Sequence, residues 1–256
     1  MQKTPQNLFK DFLQIVRRLR KECPWDREQT HQSIRHSLIE EAYEVVESID
    51  NGDMEELKTE LGDLMLHVAL HSVMAEEEKA FSISEVLRHI NEKLVRRHPH
   101  VFGTATVRTA HDVKANWERI KMAEGRKSVT EGVPKQLPAL LRAHRLQDKA
   151  SKVGFDWKNR KDVWKKVQEE IQELHKAEQS RNHGRLEDEL GDLLFALVNY
   201  SRFLRVNPEI ALRRSIEKFT RRLKFIEKEL GHRGKKIQDS SLDEMDGLWE
   251  KSKTRL

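Results

Sequence analysis

Apolar residues recur at helical spacing in two distant stretches of the chain. Leu38, Ala42, Val45 and Ile49 form one set, and Trp164, Val167, Ile171 and Leu174 form the other. This spacing predicts two helices, each with a single apolar face. Each stretch is followed by a denser apolar segment. Leu57 to Met74 contains LMLHVAL, and Leu186 to Leu204 contains LLFALVNY. Segments this apolar predict helices buried nearly all round, as at the centre of a bundle. Charged residues make up 36% of the chain and apolar ones 37%, with only 11 Gly and 6 Pro, a balance of long amphipathic helices rather than of a sandwich or barrel. The fold class read from the pattern is all-α.

The chain repeats itself. Glu40-Glu41-x-x-Glu44 followed by Glu60-Leu-Gly-Asp63-Leu recurs as Glu169-Glu170-x-x-Glu173 followed by Glu189-Leu-Gly-Asp192-Leu, offset by 129 at every position. The same fifteen-residue interval separates the two halves of the motif in both copies, so eight identities hold in register without a gap. This is an internal duplication. Further on, Glu92-Lys93-Leu-x-Arg96-Arg97 is echoed by Glu217-Lys218-Phe-x-Arg221-Arg222, and Trp117-Glu118 and Trp249-Glu250 close the two units. Residues 124–138, EGRKSVTEGVPKQLP, lack an apolar period and read as a linker. The expected organisation is two tandem helical-bundle domains, 1–123 and 139–256.

On a helix, positions i and i+3 share a face, so Glu41 with Glu44 and Glu60 with Asp63 each form a two-carboxylate edge. Two such helices packed antiparallel bring four carboxylates together, and their mutual repulsion is relieved by a divalent cation. All-oxygen ligation selects a hard ion, Mg2+ or Mn2+ rather than zinc. Acidic residues on ordinary solvated faces would have no reason to keep type and spacing in both copies. Gly62 and Gly191 inside these helices predict the close approach of a helix or ligand. A di-iron carboxylate bundle would pair Glu with Glu-x-x-His, whereas the second motif here is Glu-x-x-Asp. His67 and His71 follow Asp63 at i+4 and i+8, but Ala196 and Tyr200 hold those places in the second copy, so both histidines read as core or boundary residues.

A Mg2+ site with open positions calls for a substrate that brings its own oxygens, and a polyphosphate is the common one. Lys93 with Arg97, and Lys218 with Arg222, lie at i and i+4 and present paired cations. No Gly-rich phosphate loop is present. Lys plus Arg (48) exceed Asp plus Glu (43), giving net +5. The excess is small and spread in short clusters, so the charge balance does not call for a nucleic acid partner. The single cysteine, Cys23, excludes an intrachain disulfide and fits a reducing compartment. The segment MQKTPQNLFKDFLQ has no apolar core of a signal, and no run approaches a bilayer span. The expectation is a soluble, cytoplasmic protein.

These motifs resemble the MazG family of the all-α nucleotide pyrophosphohydrolase superfamily. The resemblance extends through CPWD (Cys23 to Asp26), RRHPHVFG (Arg96 to Gly103) and VGFDW (Val153 to Trp157). It implies Mg2+-dependent hydrolysis of nucleoside triphosphates to monophosphate and pyrophosphate, with broad base tolerance and a homodimeric assembly. Carried over by motif, Glu41, Glu44, Glu60 and Asp63 bind metal in the first copy, and Glu170, Glu173, Glu189 and Asp192 in the second. Glu40 and Glu169 orient or deprotonate the attacking water. Lys93, Arg97, Lys218 and Arg222 contact the triphosphate, with Trp249 and its counterpart Trp117 at the base or ribose. The alternative is a binding module for nucleic acid or protein in which the metal sites are structural.

Overall fold

The computed structural model describes residues 3–107, 109, 112–113, 116–117, 120, 124, 128–180 and 182–255. Among these residues there are helices and one short 3-10 turn, and no strand, in accord with the all-α reading. The chain divides into two compact units, Met1–Val113 and Lys114–Leu256.

The first unit holds α1 (Pro5–Glu22), α2 (Pro24–Glu28), α3 (Arg35–Asn51), α4 (Met54–Glu77), α5 (Ile83–Arg97) and α6 (Pro99–Phe102). Gly52, in the left-handed conformation at φ 70°, ends α3, and the Asp53 carboxylate accepts from the backbone N–H groups of Glu55 and Glu56 to start α4. A glycine C-cap followed at once by an acidic N-cap makes a two-residue turn, so α3 and α4 run antiparallel as a hairpin. The core joins Leu13 and Val16 of α1 to Ala69, Leu70, Val73 and Met74 of α4 and Ile83 of α5. Arg17 and Arg20 of α1 tie this core at its edge to Glu76 and Glu77 of α4.

The second unit holds α7 (Ala139–Lys152), α8 (Arg160–Gln179), α9 (His183–Phe203), α10 (Pro208–His232), the 3-10 turn Ile237–Asp239 and α11 (Leu242–Arg255). Asn159 caps α8 and Asn182 caps α9 through their side-chain oxygens, and the three-residue connection again makes α8 and α9 an antiparallel hairpin. Helix α7 packs on α9 and α10, while α10 and α11 bury Ile226, Leu230 and Leu248 between them. Lys149 of α7 is buried and donates to the carbonyl oxygens of Val129 and Glu131, which fastens the preceding segment to the unit.

The expectation that α4 and α9 are buried nearly all round holds only for the second half of α4, from Ala69 to Ala75. Leu61, Met65 and Val68 of α4 are exposed, and so are Leu190, Leu194 and Leu197 of α9. The two sets share the offset of 129 and recur at i, i+4 and i+7, one stripe on each helix. Among the described residues, each unit has too few helices to surround its central one. Gly62 and Gly191 are corrected in the same sense: a Cβ at either position would meet nothing within 4 Å, so no described helix of the chain crowds them.

Candidate active site

In the α3–α4 hairpin, Glu41 and Glu44 precede the turn by about as many residues as Glu60 and Asp63 follow it, roughly two to three helical turns on each arm. The hairpin register therefore sets the two acidic edges opposite one another. Glu41, Glu60 and Asp63 each offer a carboxylate oxygen, all within 4.8 Å of one another. Burial, followed by the charges of Glu44 and Asp63, raises the Glu41 carboxyl above its ordinary range. Glu60 is only 7% exposed. Burial, a bond with Glu56 and the charge of Glu44 push it up to about 7. Glu44 is thus close enough to act on both, and the charge of Glu40 also falls on Glu41.

The second unit repeats this geometry with one difference. Glu170, Glu189 and Asp192 bring oxygens within 4.8 Å of one another, and Glu170 also groups in this way with Glu169 and Glu173. Lys166, one turn earlier on α8, places its Nζ 2.6 Å from Glu170 Oε1 and 2.7 Å from Glu169 Oε1. Its bonds to Glu169 and then Glu170 raise the lysine far above its ordinary range, so it is a fixed cation inside the acidic cluster. Glu170 is 4% exposed, and its Oε2 is buried with no hydrogen-bond partner. At the matching position the first copy has Ser37, so its acids lack this counter-charge.

Both clusters present carboxylate oxygens only, with repelling charges in the first and an orphaned buried oxygen in the second. That donor set fits a divalent cation. The nearby histidines are core and boundary residues, as the sequence indicated: His67 is buried with Nε2 3.9 Å from Glu41, while the half-buried His71 stacks on His31.

A cavity of about 830 Å³ opens beside the second cluster, among α7, α8, α9 and the Gly154–Trp157 turn. Glu170, Asp192 and Lys166 line one part of it, and Gln147, Trp157 and Asn199 another. Sequence reasoning missed Lys166, although Lys-x-x-Glu-Glu puts it at i+3 and i+4 from two motif acids. It also missed Gln147 and Asn199, for which no local spacing gives a signal.

The expected basic residues lie outside this lining. Lys218 is exposed on α10. Arg222 places its guanidinium 5.2 Å from the Trp249 ring centroid, and Trp249 itself tilts against Phe219 in the α10–α11 core. Lys93 and Arg97 are half-buried on α5, and Trp117 falls in the second unit at the edge of exposure.

A duplicated helical hairpin that gathers acidic side chains without a cysteine or histidine among them defines an all-α protein with two acidic clusters that could hold a metal ion. The particular family follows from comparison: the MazG nucleotide pyrophosphohydrolase domain matches twice, at residues 29–102 and 159–229, and the chain belongs to this family. It is 43% identical over 251 residues to the nucleoside triphosphate pyrophosphohydrolase/pyrophosphatase MazG of Thermotoga maritima, covering 96% of each chain. It is 40% identical to the nucleoside triphosphate pyrophosphohydrolase of Escherichia coli K12, covering 96% of this chain and 97% of that one. It is also 46% identical to the uncharacterized protein YabN of Bacillus subtilis, of which it spans 51%. Among the described residues, no helix is long and apolar enough to cross a membrane.

Proposed function

We propose that this chain hydrolyses nucleoside triphosphates to nucleoside monophosphate and pyrophosphate, with Mg2+, or Mn2+ in its place, held at both carboxylate centres. The observation that carries this reading is the pair of hairpins, each converging three acidic oxygens within 4.8 Å. Glu41, Glu44, Glu60 and Asp63 would hold the ion in the first unit, and Glu170, Glu173, Glu189 and Asp192 in the second. The bound cation would supply charge neutralisation on the phosphates and a lowered pKa for a coordinated water.

The chain's own groups do the rest. Glu40 and Glu169 orient the water and take its proton as its oxygen bonds to phosphorus, while the bridge between the α- and β-phosphates breaks and pyrophosphate leaves. Lys166 fixes Glu169 and Glu170 in place through its two short bonds. Lys93 and Arg97, and Lys218 and Arg222, meet the triphosphate. The cavity receives the nucleoside, with Trp157 as an aromatic wall, and Trp249 and Trp117 border the ribose.

The exposed stripes Leu61/Met65/Val68 and Leu190/Leu194/Leu197 support a homodimer in which a partner helix covers them. The open space at Gly62 and Gly191, one residue from each stripe, allows that helix a close approach. A reducing, cytoplasmic setting agrees with the lone Cys23. Pyrophosphate release with Mg2+, abolished by chelator and by joint replacement of Glu44, Asp63, Glu173 and Asp192, tests the proposal. Turnover that survives the joint replacement overturns it.

A further inference from the structure

We infer that Gln147 reads the base of the substrate, by accepting a hydrogen bond from a base N–H inside the second unit's cavity. The inference rests on the reading of that unit as a triphosphate site, and it adds a specificity-determining residue that the motif does not contain.

Gln147 lies on α7, 8% exposed, and lines the cavity. Its Nε2 donates to the carbonyl oxygen of Phe195 on α9 at 2.9 Å. A carbonyl can only accept, so this bond fixes which way the amide faces. The other end, Oε1, is buried and has no hydrogen-bond partner. A buried acceptor left unpaired carries a desolvation penalty, and a ligand that brings a donor removes it.

The surroundings suit a base. Asp192, Phe195 and Asn199 follow one another along α9 and all line the cavity. From the carboxylate centre to Asn199 is therefore about 10 Å along the helix, at 1.5 Å per residue. A triphosphate on the acids would carry its ribose and base along this wall. Asn199 is held as well: its Oδ1 accepts from Arg202 Nε at 3.3 Å and from Nη2 at 3.0 Å, and Arg202 Nη1 donates to Asp156 at 2.9 Å. What remains of Asn199 is its amide N–H, a donor on a second residue that lines the same cavity as Gln147.

An acceptor is a permissive reader. The pairing edge of every common base carries at least one N–H, whether the amino group of adenine or cytosine or the ring N–H of guanine, uracil or hypoxanthine. Gln147 therefore admits all of them and rejects a ring that has none. Rejection comes from the unpaired polar group that such a ring would leave behind.

The test uses the full chain with the first centre silenced by Glu44→Gln and Asp63→Asn, so that only the second reports. Pyrophosphate release is compared for ATP against purine riboside triphosphate, and for CTP against 2-pyrimidinone riboside triphosphate. Each analogue lacks the amino group and any base N–H. Expected is about a tenfold loss in kcat/KM for each analogue, equal to about 1.4 kcal/mol. In Gln147→Met, which keeps the volume, ATP and CTP should fall to the level of their analogues and the penalty should vanish. Equal turnover of parent and analogue by the enzyme with Gln147 intact overturns the inference, and needs no variant at position 147. A penalty that persists undiminished in Gln147→Met overturns it as well. Failure of ATP turnover in this background while the unsubstituted chain stays active overturns the inference alone, whereas failure in the unsubstituted chain brings down the hydrolase reading and this inference with it.

Discussion

At the residue scale the two centres share a motif but differ in charge, because Lys166 stands among the acids of the second and Ser37 takes its place in the first. Glu60 therefore depends on burial and protonation, its pKa raised from 4.5 to about 7. Between those values the native first unit binds more protons than the unfolded chain. Without metal, its stability is then highest below pH 4.5 with respect to this group and falls as pH rises toward 7. Thermal melts in chelator at pH 5 and pH 8 should show that loss, Mg2+ should reverse it, and Glu60→Gln should flatten the pH dependence. An equal slope in wild type and Glu60→Gln would refute the assignment. In the second unit the counter-charge is permanent. Lys166→Met leaves Glu170 buried without a partner, which should cost about 1–2 kcal/mol after allowance for the half-exposed lysine. Urea denaturation measures it, and Mg2+ should restore most of the loss.

At the element scale the hairpin is the functional device: a short capped turn sets the register, and the register brings three acidic side chains from two helices together in each unit. The acids were legible in the sequence because the duplication repeats their type and spacing. The Gly52-Asp53 turn accounts for the register in the first unit, and the Asn182 cap for the second. The burial of α4 and α9 was less legible. Their apolar density was plain, but density does not say which helix covers which face, so Leu190, Leu194 and Leu197 read as core while the unit leaves them exposed. Gln147 and Asn199 were not legible at all, since only tertiary packing brings α7 and α9 to a common cavity. If the stripe is an interface between copies, Leu194→Lys should shift the protein toward monomer in light scattering while helical content by circular dichroism stays unchanged. An unaltered molar mass would show that the stripe serves no assembly.

At the scale of the whole molecule the chain is two helical units carrying the same acidic motif, and family membership extends across both. Complete acidic sets in each unit predict two working centres. Glu173→Gln with Asp192→Asn should remove the second unit's share of turnover, and Glu44→Gln with Asp63→Asn the first's, each pair leaving the other centre active. The measurement that bears most directly on the central claim is pyrophosphate release from nucleoside triphosphates by the purified full-length chain, with Mg2+ and with excess chelator. The account predicts equimolar monophosphate and pyrophosphate that vanish with chelator and with all four substitutions together. Release of inorganic phosphate in place of pyrophosphate, or turnover indifferent to chelator, would contradict it.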